Sequence, residues 1–204
     1  GSIGYYLIGL TDDLWNVSPF VRLIFQFILG ILIWKIGFRI YPPDSQILTF
    51  VVKESFVLET TSIVLTSFWI CSIINAFNWL DGLDGLATGC TIIFLFYFIL
   101  IGFQEGNSQL IALCIPLLFS LIAFWKYNFY PSEIFMGDGG SYFIGFCMSI
   151  LSIVASNATN NNFAIDQISF KSIFLPILIL SVPTIDMLKV IIFRIYKRHS
   201  PFYP

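Results

Sequence analysis

Apolar residues run through this chain in long stretches, and polar residues are confined to the short breaks between them. The oily stretches cover about Phe20 to Ile40, Thr61 to Leu80, Leu86 to Phe103, Gln109 to Lys126, Tyr142 to Ala155 and Ile173 to Phe193, with a further fragment ending near Leu10. A spanning helix needs roughly 20 mostly apolar residues, whereas a spanning strand shows about ten of alternating character. None of these stretches alternates, so the pattern predicts an all-α, polytopic helical membrane protein with about six transmembrane spans. Ser18-Pro19 reads as an N-cap followed by proline at the first helical position. The segment YPPDSQILTFVVKESFVLET, residues 41–60, is too polar to span and is broken by Pro42-Pro43. The linkers GFQEGNS and SNATNNNFAIDQISFKS are short and polar. No internal repeat or second domain is visible, so 1–204 reads as a single transmembrane domain.

Composition agrees with that medium. Of 204 residues, 57% are hydrophobic and 11% charged, against about 25% charged in an ordinary soluble domain, and the mean hydropathy is +0.87. A net charge of -2 with ten Lys and Arg leaves no basic patch of the size nucleic acid requires. Residues 1–10 lack the basic start of a signal peptide and run straight into Asp12 and Asp13. Cys71, Cys90, Cys114 and Cys147 stand singly in or beside apolar runs, without metal-site spacing, and read as small buried hydrophobes.

Alternating the spans across a bilayer puts every motif-like segment on one side. Asp12, Asp13, Asp81, Asp84, Glu133, Asp138 and Asp186 collect there, while Asp44, Glu54, Glu59, Glu105 and Asp166 fall in plain linkers opposite. Basic residues divide into Arg22, Lys126, Lys189, Arg194, Lys197 and Arg198 on the motif side and Lys35, Arg39, Lys53 and Lys171 on the other. The positive-inside rule therefore makes the motif side cytoplasmic. An aspartate at a helix centre costs roughly 2.5 to 3.5 kcal/mol on insertion scales, so these acids must face a wet cavity, a cation or one another. Interfacial solvation would account for one of them. Three clusters on one face call for a cation, because close like charges repel.

Hard oxygen donors without a His or Cys cluster point to Mg2+, with Mn2+ as the alternative ion. Mg2+ usually takes one or two carboxylates plus phosphate oxygens, which implies a phosphorylated substrate. In FMGDGGS, Asp138, Gly139 and Gly140 lead into a helix expected from about Ser141, whose free N–H groups would suit an anion. In NWLDGLDGLATG and the residues before it, Asn75, Asn78, Asp81 and Asp84 recur every third position. Each such step drifts by about 60° around an α-helix, so all four cannot share one target. Gly82 and Gly85 permit a break, so the spacing predicts that the helix loosens near Leu80 and a turn aims Asp84.

Four blocks in order, GLTDDLWNVSPFVRLIFQ, NAFNWLDGLDGLATG, FMGDGGSYFIG and VPTIDMLKVIIFRIYKRHSPFYP, resemble the polyprenyl-phosphate N-acetylhexosamine-1-phosphate transferase family, glycosyl transferase family 4. Within it, SPFYP and NAFNWLDGLDG look closer to the undecaprenyl-phosphate GlcNAc-1-phosphate transferases than to the muramoyl-pentapeptide branch. The resemblance implies transfer of an N-acetylhexosamine 1-phosphate, with GlcNAc the expected sugar, from a UDP-N-acetylhexosamine to polyprenyl (undecaprenyl) phosphate. UMP is released, Mg2+ is the cofactor, and the reaction is the first membrane step of cell-envelope glycan synthesis. The enzyme would lie in the plasma (inner) membrane with its site facing the cytoplasm; a homodimer is compatible with it. By resemblance, Asp12 and Asp13 are the catalytic pair, one to deprotonate or orient the lipid phosphate or, in a rival two-step scheme, to act as nucleophile. Asp84 and Asp138 match the metal positions. Asn78 and Asp81 belong to the same motif as substrate-binding groups, and Asp186 with Arg194 matches a block near the nucleotide sugar.

Two departures matter. The family's earlier helices and basic loop would precede Gly1, and its histidine-rich block would follow SPFYP, so the sequence reads as a fragment. His199, the single histidine, does not match that block and reads as an interfacial polar side chain. Two other classes stay open. An ion-coupled transporter would place its carboxylates near the midplane and show two related halves. A CDP-alcohol phosphotransferase would continue the DG motif with AR and further spaced aspartates, where this chain has Ala87-Thr88 and an apolar run.

Overall fold

A computed structural model of the chain describes residues 1–41, 55–158 and 177–198. Among them are helices α1 (Ser2–Trp15), α2 (Pro19–Ile36), α3 (Ser55–Leu80), α4 (Leu86–Gln104), α5 (Ser108–Asn128), α6 (Gly137–Ala158) and α7 (Ser181–Tyr196), and no strand. Five of these, α2 to α6, are long and apolar enough to cross a membrane. The protein is an all-α polytopic membrane protein. Only part of the stretch expected from Ile173 to Phe193 is described: a helical turn at 177–179, a break at Leu180, and then α7. Residues 42–54 of the segment expected at 41–60 not to span, most of the Asn-rich linker and His199 lie outside the described residues.

Several boundaries follow the local chemistry. α2 begins at Pro19 as expected, although the Ser18 side chain makes no capping bond, and it ends at Ile36 rather than Ile40 because Gly37 turns left-handed. In α5 the Asn107 side chain accepts from the Leu110 N–H and caps the helix. The DGLDG prediction holds: α3 stops at Leu80 and α4 starts after Gly85, whose φ of 71° suits glycine.

Three boundaries differ from expectation. α1 continues through Asp12 and Asp13 to Trp15 before Asn16 caps it, so the pair sits in the last turn rather than beyond it. α3 starts at Ser55, because Thr60 and Thr61 return their hydroxyls to the carbonyls of Phe56 and Val57 and the polar turn stays helical. α6 starts at Gly137, which puts Asp138 inside its first turn.

α6 is the central helix: 67% of its spanning window is buried, against 22% for α2 and for α5. It packs between α1 and α3, and α3 also carries α2 and α7, while α4 pairs with α5 and leans on α6. One apolar cluster joins Phe77, Leu95, Phe98, Leu110 and Met148 on the α4–α5 side. The other joins Tyr5, Ile33, Ile70, Ile74, Tyr142 and Phe146 on the α1–α2 side. Tyr5 stacks on Phe146 with centroids 4.9 Å apart and donates its hydroxyl to the Gln26 carbonyl at 2.9 Å. Many Ile, Leu and Phe side chains on α2, α4, α5 and α7 are exposed among the described residues, as suits helices in an apolar medium. All four cysteines are free.

Candidate active site

Polar and charged side chains meet where the C-terminal ends of α1 and α3 approach the start of α6. Asp12 on α1 is 9% exposed. Its Oδ2 accepts from Arg22 Nη1, and the same nitrogen donates to Asp138 Oδ2 at 3.3 Å. Asn78, two residues before the end of α3, donates to Asp138 Oδ1 at 2.7 Å and to Ser141 Oγ at 3.2 Å. The Asp138 carboxylate is thus held from two elements, α2 and α3. Asp13, on the same turn of α1, accepts the backbone N–H groups of Asp138 and Gly139 at 2.9 and 3.0 Å. These are donors that the glycine-rich helix start was expected to offer to a substrate anion, and a carboxylate of the protein holds them instead.

Close packing sets this meeting. An added Cβ at Gly9 would stand 2.3 Å from the Asp138 carbonyl oxygen and 2.7 Å from the Gly139 Cα. Only glycine lets α1 seat this deeply on α6.

Three of the four positions at three-residue spacing go to separate hydrogen-bond partners. Asn75 donates to Gln26 Oε1 at 2.7 Å, Asn78 serves Asp138, and Asp84 Oδ2 accepts the Ser132 N–H at 3.1 Å. Asp81 makes none of these bonds but lies in the field of Asp138. Burial first, and that neighbouring charge second, push its carboxyl up to about 7; a bound dication would reverse the direction. Asp84 and Asp186 make no hydrogen bond to the cluster among the described residues. Asp186 is half-buried on α7 beside Met187, and Arg194 lies over the Trp79 ring at 5.5 Å.

Sequence reasoning missed Arg22 as a member of the site. The signal was present, since a lone cation in the first turn of an otherwise apolar helix demands a partner. Gln26, four residues on and fully buried, is a second such residue.

Beside the cluster lies a groove of about 540 Å³ between α2, α3 and α7. Phe20, Leu23, Phe27, Phe68, Leu188 and Ile191 make its walls apolar, and Arg22, Asn75 and Asn78 are its polar edge. No group of three or more His, Cys, Asp or Glu side chains is arranged to hold a metal among the described residues. Two carboxylates, Asp12 and Asp138, nevertheless converge on one cationic nitrogen, so Arg22 marks a place where positive charge is accepted. That donor set fits Mg2+, which needs no more than one or two protein carboxylates when phosphate oxygens complete its shell.

Residues 1–156 match the family described as glycosyl transferase family 4. The chain is 34% identical over 198 residues to a probable undecaprenyl-phosphate N-acetylglucosaminyl 1-phosphate transferase of Bacillus subtilis, covering 97% of this chain and 52% of that protein. It is 30% identical over 211 residues to a decaprenyl-phosphate N-acetylglucosaminephosphotransferase of Mycobacterium leprae, with the same coverages. It is 34% identical over 166 residues to a phospho-N-acetylmuramoyl-pentapeptide-transferase of Lactobacillus acidophilus, covering 74% of this chain and 49% of that protein. The chain therefore spans about half the length of the curated relatives it matches.

Proposed function

The chain belongs to glycosyl transferase family 4, and from that membership we propose that it carries the site where an N-acetylhexosamine 1-phosphate passes from a UDP-sugar to polyprenyl phosphate. GlcNAc-1-phosphate and undecaprenyl phosphate are the pair favoured, with UMP released into the cytoplasm at the inner membrane. The observation that carries the reading is the junction at Arg22, where the apolar groove meets the carboxylate cluster. A ligand suited to both halves has a long hydrocarbon tail and a compact anionic head.

In this reading the tail lies between α2 and α7, and the lipid phosphate meets the Arg22 guanidinium, which can donate two parallel hydrogen bonds to phosphate oxygens. Asn78 orients Asp138, and the buried Asp12 faces the head group beside Arg22. A phosphate monoester needs little activation near neutral pH, so its oxygen attacks the phosphorus next to the sugar directly. A new P–O bond forms as the bond from that phosphorus to UMP breaks, and charge neutralisation with in-line positioning does most of the catalysis. When bound, Mg2+ would neutralise charge on the diphosphate. Asp138 would hold it with Asp12, the carboxylate that meets Asp138 at Arg22. Asp84, the other ligand expected from the sequence, accepts the Ser132 N–H instead.

The test uses the full-length protein in detergent with polyprenyl phosphate and radiolabelled UDP-GlcNAc. UMP release should require Mg2+, and Asp138→Asn should lower it on the order of 100-fold or more. Failure to transfer from any UDP-N-acetylhexosamine would sink the reading.

A further inference from the structure

Asp12 and Asp13 are adjacent in sequence, yet successive helical positions point about 100° apart, so their carboxylates are aimed at different groups. Asp12 faces Arg22. Asp13 spends both carboxylate oxygens on the backbone of another helix, Oδ1 on the Asp138 N–H and Oδ2 on the Gly139 N–H. Those N–H groups belong to the first turn of α6, which has no carbonyl of its own helix to offer them. A carboxylate is the best-suited acceptor there, because it also meets the positive end of the helix dipole. Gly9, one turn earlier on α1, rests against the same peptide of Asp138. α1 thus touches the start of α6 at two points on one face, a close backbone contact and a two-pronged cap.

We propose that Asp13 is a positioning residue, and not the base or nucleophile: it caps α6 from α1 and so fixes Asp138 opposite Asp12 at Arg22. The proposal rests on the transferase reading for its kinetic consequence, while the cap itself can be tested without any substrate. It divides the aspartate pair into Asp12, which faces the reacting groups, and Asp13, which sets the frame.

The full-length protein in detergent carries three substitutions: Asp13→Asn, which keeps one acceptor oxygen, Asp13→Ala, which keeps none, and Asp12→Asn for comparison. Amide hydrogen exchange is read at Asp138 and Gly139, Mn2+ binding by electron paramagnetic resonance, and transfer as a function of pH. In Asp13→Ala both amides should lose protection, and Mn2+ affinity and kcat should fall on the order of 10- to 100-fold, as when a group supporting a metal ligand is removed. Asp13→Asn should fall between Asp13→Ala and the unmodified protein on all three readouts and keep the shape of its pH profile. Asp12→Asn should leave the two amides protected while abolishing transfer. Equal and near-total loss of kcat in Asp13→Asn and Asp13→Ala, with the acidic limb of the profile flattened, would overturn the proposal. Unchanged protection in Asp13→Ala would overturn it too. Should the unmodified protein transfer nothing, the transferase reading fails, and the exchange pattern still decides whether Asp13 is the cap.

Discussion

α2 and α3 run side by side, and their two ends treat polar groups in opposite ways. At the Trp34 end the indole N–H donates to Ser62 Oγ at 2.9 Å, Ser62 donates to the Ile40 carbonyl at 2.8 Å, and the Ile40 N–H donates to Thr66 Oγ1 at 2.9 Å. Arg39 closes that end by lying over the Trp34 ring at 4.2 Å. These bonds tie Ile40 to α3, although the buried Ser67 Oγ, one residue past Thr66, has no hydrogen-bond partner among the described residues. At the Arg22 end, one guanidinium nitrogen is shared by two carboxylates, Asp81 adds a third acid nearby, and the buried Gln26 Nε2 has no hydrogen-bond partner among the described residues. A hydrogen-bonded neutral network holds a fold together. Crowded acids around one cation cost stability, and such clusters gather at functional sites.

Substitutions at the two ends should therefore separate activity from stability. Arg22→Ala should have the largest effect, raising KM for the lipid phosphate about tenfold or more, since a hydrogen bond to a charged group is worth about 1.5 to 3 kcal/mol. Arg22→Lys should recover part of this, and an unchanged KM would place the head group elsewhere. Gly9→Ala should come next: its Cβ meets backbone and not a flexible side chain, so α1 must shift, at about 1 to 3 kcal/mol of stability. Transfer should fall with it, because Asp12 moves relative to Asp138. Ser62→Ala should lower thermal stability in detergent by about 1 to 2 kcal/mol through the orphaned Trp34 N–H and Ile40 carbonyl, with transfer per folded molecule unchanged. A loss of kcat there would erase the contrast between the ends.

The last effect concerns Asp81 and is read in chelator, as a slope with pH. Its carboxyl is raised from the ordinary 3.8 to about 7 in the fold, so across that interval the folded protein holds a proton that the unfolded chain has released. Stability must fall as pH rises from about 4 to about 7 and stay reduced above it. Asp81→Asn should flatten that slope, which thermal melts at several pH values would show.

Much of the site could be read from residue order. Gly82 and Gly85 announced the break after Leu80, and the three-residue spacing ruled out a common target for Asn75, Asn78, Asp81 and Asp84. Helix ends were read less well. Asp12 and Asp13 looked like the residues after a helix, because polarity in a window marks a boundary, yet a carboxylate paired with Arg22 or spent on backbone N–H groups can stay in the last turn. The glycine-flanked start of α6 looked like a bare anion site for a related reason: the sequence shows donors and cannot show that Asp13 from α1 already holds the N–H groups of Asp138 and Gly139.

Taken alone, the sequence determined the solvent, the helical class and the gathering of the acids at one end, since lengths of apolar run and simple alternation across a bilayer are properties of the chain in order. Tertiary structure decided which acid meets which group. Asp138 finds Asn78 at a separation of 60 residues, Arg22 at 116 and Asp13 at 125. Those meetings depend on the rotation of each helix about its axis and on how closely glycine lets two backbones approach, and both are set by packing among helices that do not adjoin in sequence.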